Sequence, residues 1–126
     1  MLHIPGRLFS VSESTAEEVE NLFARNERVV CLFDTDLGPM AVVLVGALLV
    51  AGIETVWHGL VTPPSSKQIR RWSYDRQLRL ERGEELGQFH LGSTVILLFP
   101  SASITWSTEA GHKVRMGEIL GRKNPA

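Results

Sequence analysis

An uncharged run near the middle of the chain constrains its fold more than any other feature. The run extends over fifteen residues from Pro39 to Ile53 and ends at Glu54. A transmembrane helix needs roughly 20 consecutive apolar residues, so this run is short for a single spanning helix. It is rich in valine, which favours strands, and Gly46 interrupts it as glycine does at a β-bulge. We therefore predict buried strands here, with a small integral membrane protein as the alternative.

The flanking segments extend the β pattern. Arg28 to Asp34 is β-branched and apolar, a turn follows before Pro39, and Leu48 to Trp57 predicts a further strand. Before these segments, a hydroxyl residue at Ser14 precedes two glutamates, which indicates the first turn of a short helix that reaches about Phe23. The predicted fold is therefore mainly β, a barrel-like or sandwich-like domain with one short N-terminal helix.

A weak internal repeat in the last third of the chain supports this fold class. Gly83–Gly87 and Gly117–Gly121 share the pattern G-E-x-L-G, which predicts a turn followed by the start of a strand. Two copies of one turn suggest a barrel or sandwich that is built from similar halves. The pattern also occurs in biotinyl and lipoyl carrier domains, but the lysine that those domains place at a hairpin tip is missing here. A carrier function is therefore not favoured.

Composition limits the kind of partner and the number of domains. The chain has 126 residues, which suits one domain, and a formal net charge of -1 gives no electrostatic reason to expect a nucleic-acid partner. Its one cysteine, Cys31, lies in an apolar run and is expected to be a buried small hydrophobe. No pair of its four histidines has the spacing of metal ligands, so we expect no metal site.

The motif that points to chemistry is Leu91-Gly92-Ser93-Thr94, which precedes an apolar strand. On its own, the motif would predict a β-bulge whose hydroxyl groups are hydrogen-bonded to the backbone, because glycine weakens strands. In context it resembles the processing site of the phosphatidylserine decarboxylase family. The resemblance covers the chain from Ile4 to Phe99 and fades after Pro100. Six further segments match the family in its order: Pro5–Val11, Asn21–Arg28, Leu32–Thr35, Gly38–Met40, Leu44–Ala47 and Ile53–Trp57.

The resemblance implies a serine that makes its own cofactor. The hydroxyl of Ser93 would attack the carbonyl of Gly92, and elimination and hydrolysis would then produce two chains. Residues 1–92 would form the β chain, and residues 93–126 would form the α chain with a pyruvoyl group at its start. Glycine leaves the carbonyl open to close approach, and the developing oxyanion needs nearby donors. Thr94 is the candidate for stabilising the oxyanion or for orienting the ester.

The resemblance also implies the activity, its partner and its place in the cell. The pyruvoyl ketone would form a Schiff base with the amine of phosphatidylserine and accept the electrons left by carbon dioxide. The product would be phosphatidylethanolamine. Because the substrate is a membrane lipid, we expect a peripheral protein on the cytoplasmic face of the cell membrane.

The sequence departs from the family in one respect that bears on catalysis. An upstream region, with the acidic and histidine residues thought to activate the serine, has no counterpart here, so we expect a single domain truncated at its N-terminus. His90 lies three positions before Ser93, but three strand steps span about 10 Å and end on the opposite face. His58 is expected at a strand end, where it could line a cleft. A partner chain that supplies the missing groups, and a non-catalytic fragment or binding module, both remain open.

Overall fold

The computed structural model describes residues 1–48, 52–63, 67–91 and 94–125, and most of their regular structure is β. This confirms the predicted fold class. The elements in chain order are β1 (Leu2–Ile4), α1 (Glu13–Glu18), α2 (Leu22–Arg25), β2 (Arg28–Thr35), β3 (Gly38–Val45), β4 (Ile53–Thr55), β5 (Gly59–Thr62), β6 (Arg70–Arg71), β7 (Gly87–Phe89), β8 (Thr94–Leu98), β9 (Ile104–Trp106) and β10 (Gly121–Lys123).

The largest sheet is antiparallel and has the strand order β6-β1-β2-β3-β8. Its centre is the β2–β3 hairpin, which turns at Asp36 and Leu37 as the sequence predicts. The hydroxyl of Thr35 donates to the carbonyl of Gly38 at 2.7 Å and closes this turn. Residues 39–45 of the uncharged run therefore lie in a sheet strand, which contradicts a membrane-spanning helix over that part. No helix in the described residues is long and apolar enough to cross a bilayer.

The second predicted strand of the uncharged run is shorter than expected. Leu48 to Trp57 was predicted as one strand, but β4 covers only Ile53–Thr55, and residues 49–51 lie outside the described residues. The strand ends early because the chain turns back: the N–H of His58 donates to the carbonyl of Thr55, and Gly59 takes a φ of 80°. Glycine adopts this left-handed conformation without the steric cost that a Cβ would add.

The predicted N-terminal helix is two short helices. The hydroxyl of Ser12 caps α1 by accepting from the N–H of Thr15, and α1 ends at Glu18. Asn21 then takes a φ of 54°, a left-handed conformation that asparagine tolerates better than most residues and that no helix continues through. This break turns the chain so that Leu22, at the start of α2, is buried.

The hydrophobic core lies between the five-stranded sheet and a three-stranded sheet of order β5-β4-β7. Its buried side chains come from β2 and β3 on one side and from β4 and β5 on the other. They are Val29, Cys31, Val42, Leu44, Ile53 and Val61. The arrangement is a sandwich, and burial raises the pKa of the Cys31 thiol to about 11. The prediction that Cys31 is a buried small hydrophobe is confirmed.

The predicted repeat is present in the structure. In both copies, Gly83–Gly87 and Gly117–Gly121, the first glycine has a positive φ, of 84° and 86° respectively. The glutamate that follows accepts a hydrogen bond from the backbone N–H three residues before it, at 2.6 Å in the second copy. The last glycine of each copy begins a strand, β7 in the first copy and β10 in the second.

One buried amide side chain joins the N-terminal segment to the end of β3. Asn26 is fully buried, and its Oδ1 accepts from the N–H of Phe9 at 2.9 Å. Its Nδ2 donates to the carbonyls of Phe9 and Gly46, both at 3.0 Å. An amide supplies both acceptor and donors in one plane, so no other short side chain could make all three bonds.

We expect Asn26→Ala to lower the free energy of unfolding by about 2–4 kcal/mol, because three hydrogen bonds are lost and buried backbone groups lose their partners. Urea denaturation measures this loss. Asn21→Gly is the matched control, since Asn21 is exposed, makes no capping bond and has a positive φ that glycine accepts. The control should change stability by less than about 0.5 kcal/mol. Equal losses in the two variants would contradict the role assigned to Asn26.

Candidate functional site

The segment that carries the predicted processing site connects two different sheets. On its N-terminal side β7 belongs to the three-stranded sheet, and on its C-terminal side β8 is the edge strand of the five-stranded sheet. Gly92 and Ser93 themselves lie outside the described residues. Their flanks are held in place, because the N–H of His90 donates to the carbonyl of Gly52 at 3.0 Å and Thr94 pairs with Val45.

Thr94 is the one predicted site residue that the structure describes. It is half-buried at the start of β8, opposite the fully buried Val45. The residue after Val45 is Gly46, whose carbonyl is held by the buried Asn26 amide. The backbone at Thr94 is therefore fixed through β3, while its role towards an oxyanion or ester stays a prediction.

A polar cluster precedes the predicted processing site on the exposed face of the three-stranded sheet. Glu54 of β4 lies directly opposite Gln88 of β7, and His90 follows two residues later on the same face. Glu54 Oε2 is 2.9 Å from His90 Nε2 and accepts from Gln88 Nε2 at 3.2 Å. The hydrogen bond from His90, and then the one from Gln88, lowers the pKa of Glu54.

This cluster bears on the prediction for His90. Its Nε2 already has Glu54 as a partner, so the atom is engaged on the sheet rather than free. Because Ser93 lies outside the described residues, the prediction that strand geometry keeps His90 away from the serine hydroxyl stays a prediction. Sequence inspection missed the pairing, since Glu54 and His90 are 36 residues apart and meet only through strand register.

His58 lies where the sequence predicts, in the turn after β4. Its Nδ1 is 3.0 Å from the hydroxyl of Tyr74, and its ring meets the edge of Trp72 with centroids 4.7 Å apart. Burial raises the pKa of Tyr74. The histidine is thus hydrogen-bonded within an aromatic cluster, which confirms the prediction that it lies at a strand end.

His3 is a buried polar residue that sequence inspection also missed. It is fully buried on β1, between Glu27 and Arg70. Arg70 donates to His3 Nδ1 at 3.2 Å, and because arginine has no acceptor, the ring hydrogen is left on Nε2, which donates to Glu27 Oε2 at 3.0 Å. Arg70 also donates to the carbonyl of Val61 at 2.8 Å. The network therefore joins the two larger sheets through the buried His3 and the partly buried Arg70.

Comparisons with known proteins show which family the chain matches. A family model described as phosphatidylserine decarboxylase matches residues 1–122, further along the chain than the resemblance that fades after Pro100. The chain is 60% identical over 124 residues to a phosphatidylserine decarboxylase proenzyme from Methylococcus capsulatus, covering 96% of this chain and 43% of that protein. It is 57% identical over 128 residues to the proenzyme of the same name from Azotobacter vinelandii, with coverages of 97% and 44%.

A third relative has a similar identity and a similar coverage. The phosphatidylserine decarboxylase proenzyme of Ectopseudomonas mendocina is 58% identical over 127 residues, which cover 96% of this chain and 44% of that protein. The chain thus spans less than half the length of the curated relatives that it matches.

We expect His90→Ala to raise the pKa of Glu54 towards its ordinary value of 4.5, because the variant removes the largest cause of the lowered pKa. Gln88→Ala, the matched control, removes the second cause and should raise the pKa less. An NMR titration of the Glu54 side-chain carboxyl carbon measures both shifts. An unchanged pKa in His90→Ala would contradict the hydrogen bond between the two side chains.

The same shift gives a direction for the dependence of stability on pH. A carboxyl group with a lower pKa in the folded state stabilises the fold above its unfolded pKa. That stabilisation is lost as the pH falls through the folded pKa, so the window for Glu54 lies on the acid side of pH 4.5. The acid-side loss of thermal stability should be smaller in His90→Ala than in the wild-type chain.

Proposed function

The chain belongs to the phosphatidylserine decarboxylase family, and from that premise we propose that it carries the self-cleavage site and the cofactor serine of an enzyme that converts phosphatidylserine to phosphatidylethanolamine. The observation that carries the proposal is the family match over residues 1–122, which includes the Leu91–Thr94 motif. Identities of 57–60% to proteins named as proenzymes add to it.

The proposed processing uses the chain's own atoms. Ser93 Oγ adds to the carbonyl carbon of Gly92, and the peptide bond becomes an ester. Elimination then breaks the bond between Cβ and Oγ of Ser93, which leaves a carboxylate on Gly92 and an enamine at residue 93. Its imine tautomer takes up water and releases ammonia, and a pyruvoyl group remains at the start of the second chain. No outside oxidant or reductant is needed.

The residues around the motif fit this cofactor. It is derived from Ser93 itself, and the preceding glycine leaves the carbonyl accessible because it has no Cβ. The described flanks are anchored separately, β7 by β4 and β8 by β3, so both new ends would keep their strand partners after cleavage. When bound, a pyruvoyl carbonyl supplies the electron sink that decarboxylation requires.

We propose that the groups that activate Ser93 are residues in the region of the relatives that this chain does not span. Within the described residues, His90 and His58 already have hydrogen-bond partners, and His3 is enclosed between Glu27 and Arg70. Loss of a general base slows a reaction by typically 10²- to 10⁴-fold. Cleavage occurs once per molecule, but decarboxylation must turn over, so the isolated chain should be slow to process and a weak decarboxylase.

The substrate also bears on where the protein acts. Phosphatidylserine is a bilayer lipid, so we propose that the protein works peripherally on the cytoplasmic face of the cell membrane. Its other proposed partners are its own α and β chains, residues 93–126 and 1–92, and a segment or chain that supplies the activating groups.

The first test is an intact-protein mass spectrum under denaturing conditions. The chain would be measured alone, and after co-expression with the part of the Methylococcus capsulatus relative that lies outside the match. We expect slow or no cleavage alone and, on co-expression, two fragments divided between Gly92 and Ser93, the second bearing a ketone that borohydride reduces. Ser93→Ala is the control and should stay whole in both settings. A single mass of 14.0 kDa for the wild type in both settings would indicate a non-catalytic β domain instead.

Thr94 gives a second prediction, for the rate of cleavage. We expect Thr94→Val to slow cleavage in the co-expressed pair by about 10²- to 10³-fold, as the loss of one oxyanion donor does. Thr94→Ser keeps the hydroxyl and should process within a few-fold of the wild-type rate. Both variants keep a side chain suited to β8, and quantitative mass spectrometry over time gives the rates. Equal rates in Thr94→Val and the wild type would remove Thr94 from the reaction.

A further inference from the structure

The two copies of the repeat differ in the sheets that they form. Each copy begins a strand that pairs antiparallel with an earlier strand, β7 with β4 and β10 with β9. The registers are equivalent, because Thr55 pairs with Gly87 and Trp106 pairs with Gly121. However, β4 has β5 on its other side, whereas β9 and β10 form a two-stranded sheet. A two-stranded sheet alone is at best marginally stable in water.

The backbone of β9 has the same orientation relative to β10 as the backbone of β4 has relative to β7. In an antiparallel pair, hydrogen-bonded positions alternate with positions whose N–H and C=O point to the other side. The N–H of Val56 donates to Leu86 in the first copy, and the N–H of Ser107 donates to Leu120 in the second. Ile53 and Thr55 therefore face β5, with which they pair, and the equivalent backbone groups of β9 face away from β10.

No strand in the described part of the chain pairs with that edge of β9. The outward backbone groups belong to Ile104 and Trp106. Their side chains are less enclosed than those of the first copy. Ile53 and Thr55 are both 0% exposed, whereas Trp106 is 49% exposed, with one edge contact to the ring of Phe99, and Ile104 is partly buried.

The connections explain why the second copy lacks a third strand. In the first copy, residues 56–86 connect β4 to β7 and contain β5. In the second copy, residues 107–120 connect β9 to β10 and contain no strand. Within the described residues this copy has no third strand, and the matched region is only 43–44% of the length of the relatives.

We propose that the free edge of β9 binds an extended segment from the part of the relatives' polypeptide that lies outside the matched region. The segment pairs antiparallel with β9, as β5 does with β4, and completes a second three-stranded sheet. This assembly does not depend on whether Ser93 is processed.

The geometry favours this occupant over a lipid surface. A bilayer could cover Trp106, but hydrocarbon offers no partners for the outward backbone groups. A strand satisfies both the backbone and the side chains.

The experiment uses overlapping synthetic peptides that cover the part of the Methylococcus capsulatus relative outside the match. Each is added to the isotope-labelled chain, and amide exchange is followed by NMR. We expect one peptide to slow exchange at the amides of Ile104 and Trp106. Exchange at Thr105, whose backbone faces β10, should change little. This alternation distinguishes strand addition from general stabilisation.

A matched pair of variants tests the edge itself. Ile104→Pro removes an N–H that points away from β10 and should weaken peptide binding by about tenfold or more. Ile104→Val should bind as the wild type does. Retained protection of the Arg122 amide, which belongs to the β9–β10 ladder, shows that each variant keeps its fold.

Three results would overturn the proposal. Protection at Ile104 and Trp106 that appears on raising the chain's own concentration would assign the edge to self-association. Protection from phosphatidylserine vesicles alone would assign the surface to the membrane. If no peptide in the set protects these amides, the proposed segment does not bind to the edge of β9.

Discussion

The buried amide of Asn26 is the interaction on which the rest of the structure depends. It binds both backbone groups of Phe9 and the carbonyl of Gly46, so it joins the N-terminal segment to the residue that follows β3. β3 in turn pairs with β8 in a continuous register that includes Val45 and Thr94. The Asn26 contact at the end of β3 therefore helps to set the position of Thr94 on β8. The flank of the predicted processing motif is therefore determined by residues distant from it in sequence.

A second set of polar groups, the buried His3 and the partly buried Arg70, links the two larger sheets. His3 and Arg70 lie in the five-stranded sheet, and Arg70 also binds the carbonyl of Val61 in the three-stranded sheet. Burying the polar ring of His3 would be costly without hydrogen bonds, and here both of its nitrogens have partners. The motif connects these same two sheets, so their relative position determines where its flanks lie.

Local patterns predicted the strands around the β2–β3 turn, the buried Cys31 and the two glycine-led turns, because alternation and turn chemistry depend on neighbouring residues. The family was recognisable from the motif around Ser93 together with six further segments that match the family in its order. The helix break at Asn21 was missed, since asparagine permits a left-handed conformation without requiring it. The pairing of Glu54 with His90 and the enclosure of His3 depend on strand register over long separations, which a single sequence does not display.

The way β8 is held has a thermodynamic consequence. The C-terminal part of the chain contacts the rest through the β3–β8 ladder and through an ion pair of 2.7 Å between Lys123 and Asp36. An intact chain unfolds in a reaction that does not depend on protein concentration. If the backbone is cut before β8 as proposed, folding becomes an association of two polypeptides, and the melting temperature should rise with concentration. The proposed cut would thus change the molecularity of folding without removing any residue that makes these contacts.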